Sequence, residues 1–193
     1  MNVIRSFIAF DLPEEILESI RDVQEQVKKR GVKLKWVPVK NIHLTMKFIG
    51  DIQVDLVDKV ANMMAESVEG FDAITLSANG MGVFPGLHRP KVLWIGMDGE
   101  VDRLDRLQKA LDKKLSLIGI QAEKRPFTGH LTIGRAKENL NMVSLKESLR
   151  LFYDFQTRPF KINEMKLFQS ELLPTGAVYS CIKSVVLSKE TEL

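Results

Sequence analysis

Apolar and polar positions alternate along the chain in a way that divides it into elements before any single residue is singled out. Residues 5–12, "RSFIAFDL", read as a strand closed by Pro13. Pro13 suits the first position of a helix, and Glu14 and Glu15 favour its positive end. Over 13–30 the apolar residues Ile16, Leu17, Ile20, Val23 and Val27 fall at helical spacing, and Lys28, Lys29 and Arg30 close the pattern before Gly31. Strands are predicted at 33–37 and 42–49. A second helix at 54–69 carries Val54, Val57, Val60, Ala61, Met64 and Val68 on one side. Residues 72–84 and 91–97 read as strands joined by the turn-rich "PGLHRP". A third helix at 100–118 is marked by Leu104, Leu107, Leu111 and Leu115 and stops at Gly119. A strand from His130, a shorter helix at 141–152 and two closing strands, "FKINEMKLFQSEL" and "AVYSCIKSVVLSK", complete the chain. Sheet and helix thus alternate twice. The pattern predicts an α+β architecture with two pseudo-symmetric lobes in one domain over 1–193.

Each half contains one unusual strand. Residues 41–50 read "NIHLTMKFIG" and residues 126–135 read "PFTGHLTIGR". Two of the three histidines open the same H-L-T-apolar string, although threonine fills only seven of the 193 positions. A lone H-x-T is unremarkable in a strand; its return in the second half is the signal. Period-2 alternation sends Leu44, Met46 and Phe48 into the core and turns His43, Thr45 and Lys47 toward a groove between the lobes. Leu131 and Ile133 take the core role in the second copy, leaving His130 and Thr132 on the groove.

Composition excludes several classes. The chain is 45% hydrophobic and 27% charged with a net charge of +3, ordinary for a folded domain and far from a histone-like binder. One cysteine rules out an intrachain disulfide framework and a cysteine-rich metal site. Cys181 lies in an apolar stretch and is expected to be a buried, inert thiol. The four apolar residues between Ser6 and Asp11 are too few for a signal-peptide core, and no run approaches membrane-spanning length. A cytoplasmic protein is expected.

Two imidazoles on opposite walls of a groove can share acid–base work near neutral pH. One takes a proton from an attacking water while the other protonates the departing oxygen. Threonine hydroxyls two residues along can hydrogen-bond oxygens on which charge grows. Phosphodiester hydrolysis has this in-line shape, and Arg135 and Lys47 are candidates to neutralise the phosphate. Zinc is not favoured: a catalytic site usually needs three protein ligands, and His88 stands in a loop without a carboxylate or thiol beside it. No G-x-S-x-G occurs for a serine nucleophile. Which histidine acts as acid is left open by the symmetry of the pattern.

"HLTM" at 43–46 and "HLTI" at 130–133 match the paired H-x-T-x motifs of the 2H phosphoesterase superfamily. Together with "RSFIAFDLPEE", "WVPVKNIHLTMKFIGDI", "GMGVFPGLHRPKVLWIGM", "RPFTGHLTIGRAK" and "LFQSEL…GAVYS", the chain resembles the RNA 2′,3′-cyclic phosphodiesterase branch, also called 2′-5′ RNA ligase-like. The resemblance implies a duplicated bilobal fold of two antiparallel sheets flanked by helices around a central cleft. It also implies opening of RNA 2′,3′-cyclic phosphate ends, or of small cyclic nucleotides, to 2′-phosphomonoesters by a monomer with no metal or cofactor. His43 would be the proton donor and His130 the proton acceptor. Thr45, Thr132 and Arg135 would hold the phosphate. Family members often have proline before the second histidine; Gly129 implies a looser strand entry here.

Several residues are expected to play no part in chemistry. Trp36 and Trp94 read as core, Arg125 as surface, "KKR" at 28–30 as a helix end, and His88 as loop surface. Stacking on a base is rejected for Phe48, which the alternation buries, and left open for Phe127. The alternative functions are a nucleotide- or RNA-gripping module without turnover, and a 2H enzyme acting on another small cyclic phosphate or a 2′-5′ linkage.

Overall fold

The computed structural model describes residues 2–136, 140–174 and 176–187. β1 (Val3–Phe10) ends just before Pro13, where α1 (Glu14–Lys29) begins with Glu14 and Glu15 in its first turn. Its buried stripe is Ile16, Ile20, Val23 and Val27, with the polar Gln24 among them. β2 (Leu34–Trp36) and β3 (Leu44–Gln53) follow, then a 3-10 turn leading into α2 (Val57–Ser67). β4 (Ile74–Phe84), β5 (Val92–Gly99), α3 (Val101–Ser116), β6 (His130–Ala136) and α4 (Met142–Leu151) come next. α4 is capped by Asn141, whose side chain accepts from the Val143 and Ser144 N–H groups. β7 (Phe160–Ile162), β8 (Glu164–Leu173) and β9 (Gly176–Val186) close the chain. The stretch from Phe160 that reads as one strand is two. Phe160–Ile162 pairs with β4 and Glu164–Leu173 with β1 and β9, so the chain changes partners at Asn163.

All strand pairs are antiparallel, in the order β7-β4-β5-β6-β3-β1-β8-β9, with β2 beside β6. The two motif strands meet in the middle of this order through a single residue pair, Leu44 with Leu131. One half of the sheet is therefore β3, β1, β8 and β9; the other is β6, β5, β4, β7 and β2. Helices pack on one face, where Ile8, Phe10, Leu44, Leu131 and Ile133 join Ile20 of α1 and Leu104, Leu107 and Leu111 of α3 in one core. Phe7 and Ala9 point the other way and form a small second cluster with Phe168, against which Tyr179 packs. That face carries the motif histidines.

The strict alternation expected for β3 does not hold. Ala9 pairs with Thr45 and Ile8 with Lys47, so Met46 is an extra residue in the ladder, a β-bulge. Met46 is buried and the next residue is too: Lys47 turns to the helix side and Phe48 to the cleft, where it is 51% exposed. A second irregularity follows, in which Ile49 is extra and Gly50 adopts φ +86°, a conformation open to glycine. β6 repeats the first bulge. Thr132 pairs with Trp94 and Gly134 with Leu93, making Ile133 the extra residue, again the fourth of the motif. The Ile133 carbonyl accepts from the Val37 N–H and from Nε2 of buried Gln24, at 3.1 and 2.9 Å. Gly134 faces the core against Leu34, where a Cβ would come within 2.8 Å of the Leu34 Cδ1. Arg135 faces the cleft.

Cys181 is exposed on β9 rather than buried; its thiol donates to the Lys183 carbonyl at 3.4 Å. β9 is an edge strand paired with β8, and its Cys181 side chain is not among those that reach the core. Among the described residues no helix is long and apolar enough to cross a membrane.

Candidate active site

The two histidines are held alike. Nδ1 of His43 lies 2.8 Å from the Asn41 carbonyl and Nδ1 of His130 lies 2.7 Å from the Thr128 carbonyl, each two residues back. A carbonyl only accepts, so Nδ1 carries the hydrogen in both rings and Nε2 is left for other chemistry. Aromatic rings from neighbouring strands brace each imidazole. Phe7 stacks on His43 at 4.7 Å, and Tyr179 meets it edge-on at 5.5 Å. Phe84 meets His130 edge-on at 5.0 Å, with Trp94 6.4 Å away. Trp94 is thus half-buried beside the second histidine, not in the core.

His43, Thr45, Phe48, Thr132 and Arg135 line one pocket of about 160 Å³, closed on one side by Ser170 and Tyr179 from the β8–β9 hairpin. The turn entering β3 is tied to that hairpin by the Asn41 side-chain amide, which donates to the Ala177 carbonyl at 2.8 Å. His130 precedes Thr132 on the same face of β6, and its charge acts on His43. Neither threonine hydroxyl nor the Arg135 guanidinium has a hydrogen-bond or ion-pair partner among the described residues. These are unspent donors converging on one small volume, the electrostatic requirement of an oxyanion site. Burial lowers the His43 pKa; the Asn41 carbonyl and Asp11 oppose this, and Arg135 and His130 add to it.

Lys47 is not part of the pocket. Its ammonium lies beneath the sheet against an Asp112 carboxylate oxygen and the Gln121 carbonyl, with 3% of the side chain exposed. The bulge at Met46 explains the reversal, because one extra residue exchanges the two faces of the strand beyond it. The same bulge brings Phe48 into the pocket, and the Arg5 guanidinium covers part of its ring at 5.1 Å. Phe48 is the site residue that alternation misassigns to the core. Gln24 is the other residue the pattern hides: it reads as one polar position in an apolar stripe, yet it holds the bulge that turns Arg135 outward. Gly129 is not loosely packed, since a Cβ there would stand 3.1 Å from Leu104 Cδ2. Phe127 packs half-buried against the core, while His88 and Arg125 are exposed. No cluster of three or more His, Cys, Asp or Glu among the described residues could hold a metal ion.

A curled antiparallel sheet with flanking helices, built from two repeated halves, is the architecture of the LigT-like phosphoesterases. The family's model, LigT like Phosphoesterase, matches twice, over residues 10–94 and 95–179, and the chain belongs to this family within the 2H superfamily. The two matches divide the chain into the halves that the motifs mark. Among curated proteins, the RNA 2′,3′-cyclic phosphodiesterase of Methanocaldococcus jannaschii is 34% identical over 180 residues, spanning 93% of this chain and 99% of that protein. The protein of the same name from Thermotoga maritima is 32% identical over 179 residues, 93% of each chain. Among solved structures, TT0787 of Thermus thermophilus superposes with a TM-score of 0.80 at 24% identity, covering 97% of this chain and all of that one. Escherichia coli LigT complexed with 3′-AMP gives 0.77 at 24% identity, with coverage of 97% and 100%.

Proposed function

We propose that this chain opens 2′,3′-cyclic phosphates at RNA ends to 2′-phosphomonoesters without a metal. The observation that carries the reading is the pair of imidazoles with matched anchors and free Nε2 atoms beside a pocket of unpaired phosphate-binding groups. Relatives about one-third identical over nearly their whole length bear the corresponding name, which supports it. In the reaction, Nε2 of His130 takes a proton from water as its oxygen attacks phosphorus opposite O3′. The P–O3′ bond breaks, and O3′ leaves with the proton of protonated His43. Thr45 and Thr132 donate hydrogen bonds to the non-bridging oxygens, and Arg135 offers its guanidinium fork to the same anion. Phe48 offers an exposed ring face for the terminal base. The product keeps its phosphate on O2′ and gains a 3′-hydroxyl.

A short RNA ending in a 2′,3′-cyclic phosphate, incubated with the protein in excess chelator, is expected to yield a 2′-phosphate end. A 3′-phosphate product, or no opening, would overturn the reading. The acid–base roles have their own test in the pH profile. His43 must be protonated to act as acid, so activity falls as pH rises through its pKa. Burial holds that pKa low in the free protein. The alkaline limb of kcat/KM is therefore expected below the ordinary histidine value of about 6.5. A bound phosphate anion favours the imidazolium, so the limb of kcat should lie higher. If His43 were the base, its low pKa would appear instead as a displaced acid limb.

A further inference from the structure

A groove of about 590 Å³ lies next to His130, its wall including Gly129 and Gly96, the β5 residue paired with that histidine. Thr128, whose carbonyl anchors that imidazole, and Gly129 form part of its wall, while Thr132 on the other side of His130 lines the phosphate pocket. The histidine thus stands between the two spaces. No lysine or arginine lines the groove, and Asp154 does, so its chemistry does not suit a phosphate. It suits an uncharged planar group. Asn79 is half-buried in the groove, and its side-chain amide has no hydrogen-bond partner among the described residues. Gln156 beside it spends its Nε2 on Ser77 Oγ and Asp98 at 3.4 and 3.3 Å and keeps its carbonyl open. An unspent donor–acceptor pair matches the edge of a base, which presents the same groups. Tyr153 is 75% exposed at the rim, an aromatic face available for stacking. By contrast, the pocket of about 200 Å³ on the far side of His43 is lined by Lys40, Asp11 and the rings that hold the histidine, which leaves less room and more charge.

We propose that this groove binds the nucleobase that precedes the cyclic-phosphate nucleotide, with Asn79 reading its edge and Tyr153 stacking on its face. The protein then selects RNA ends over cyclic mononucleotides. The inference rests on the function proposed above, and a binding measurement separates the two. A tetranucleotide ending in a 2′-phosphate and the corresponding nucleoside 2′-phosphate are titrated calorimetrically into the wild-type protein, the Asn79→Ala/Tyr153→Ala variant and Lys40→Ala. Neither Asn79 nor Tyr153 is buried, so the double variant is expected to keep its melting temperature.

The wild type should bind the tetranucleotide roughly tenfold more tightly than the monomer, as stacking of one base supplies. The double variant should lose that gain and bind the monomer unchanged, and Lys40→Ala should keep it. The gain should also persist at high salt, because a contribution from backbone phosphates would fade. No gain in the wild type, a gain that survives the double substitution, one lost in Lys40→Ala, or one abolished by salt would each overturn the proposal. A protein that shows the groove-dependent gain yet opens no cyclic phosphate would support the groove and refute the activity.

Discussion

His130→Ala and His43→Phe are each expected to lower kcat for opening a cyclic phosphate by about a thousandfold or more, at the upper end of what one general acid or base contributes. Phenylalanine is the better choice at position 43 because the imidazole is a packed ring. It stacks on Phe7 and meets Tyr179 edge-on, so truncation to alanine would open a hole in the aromatic cluster and confuse lost chemistry with lost packing. His130 meets Phe84 and Trp94 by ring edges, with no stacked ring among the described residues. Its anchor is the exposed hydrogen bond to the Thr128 carbonyl, so alanine there is expected to leave the melting temperature near that of the wild type. The decisive readout is kcat beside the melting temperature. A variant that keeps its rate within about tenfold of wild type while folding normally would remove that histidine from the mechanism.

The second large effect concerns stability. Lys47→Ala leaves the Asp112 carboxylate without its cation and the Gln121 carbonyl without a donor, in a place where the lysine is 3% exposed. Breaking a buried ion pair in this way costs about 3 kcal/mol, which for a chain of this size corresponds to about 10 °C in melting temperature. Asp112 also accepts the Glu123 N–H at 2.8 Å, so the substitution weakens the hold on the connection that leads into His130. Activity assayed well below the new melting temperature should change little, because the ammonium never reaches the cleft. Denaturant unfolding with a kinetic assay on the same preparations decides the matter. An unchanged midpoint together with a large fall in rate would return Lys47 to the phosphate.

Lys47 also marks where the sequence stops being legible. The helices at 13–30, 54–69, 100–118 and 141–152 could be read because an apolar stripe against a core leaves a period of 3.6, whatever the tertiary context. The histidines and threonines could be read because a repeated string is visible without any structure. Phe48 and Lys47 could not, because a bulge is a property of two paired strands and leaves no mark in the periodicity of one. Strict alternation also puts Arg135 on the face of Leu131 and Ile133. Its charge and the resemblance to a family placed it with the phosphate; the alternation did not. Phe48 and Arg135, each the sixth residue counted from its histidine, reach the cleft together because both strands carry the bulge. Cys181 was misread for a related reason: an apolar run predicts a strand, but it does not tell whether that strand lies at the edge of the sheet.

The fourth position of each motif, Met46 in one copy and Ile133 in the other, therefore works as a spacer. Both side chains are buried, so the position asks for an apolar residue, yet two differently shaped ones serve. What the position contributes is a count. If the same residues ran in strict alternation without the bulge, Phe48 would sink and Lys47 surface in one strand, and Arg135 would turn inward in the other. The position is in this sense a phase shift between each motif and the residues after it, and it is set by the pairing of two strands.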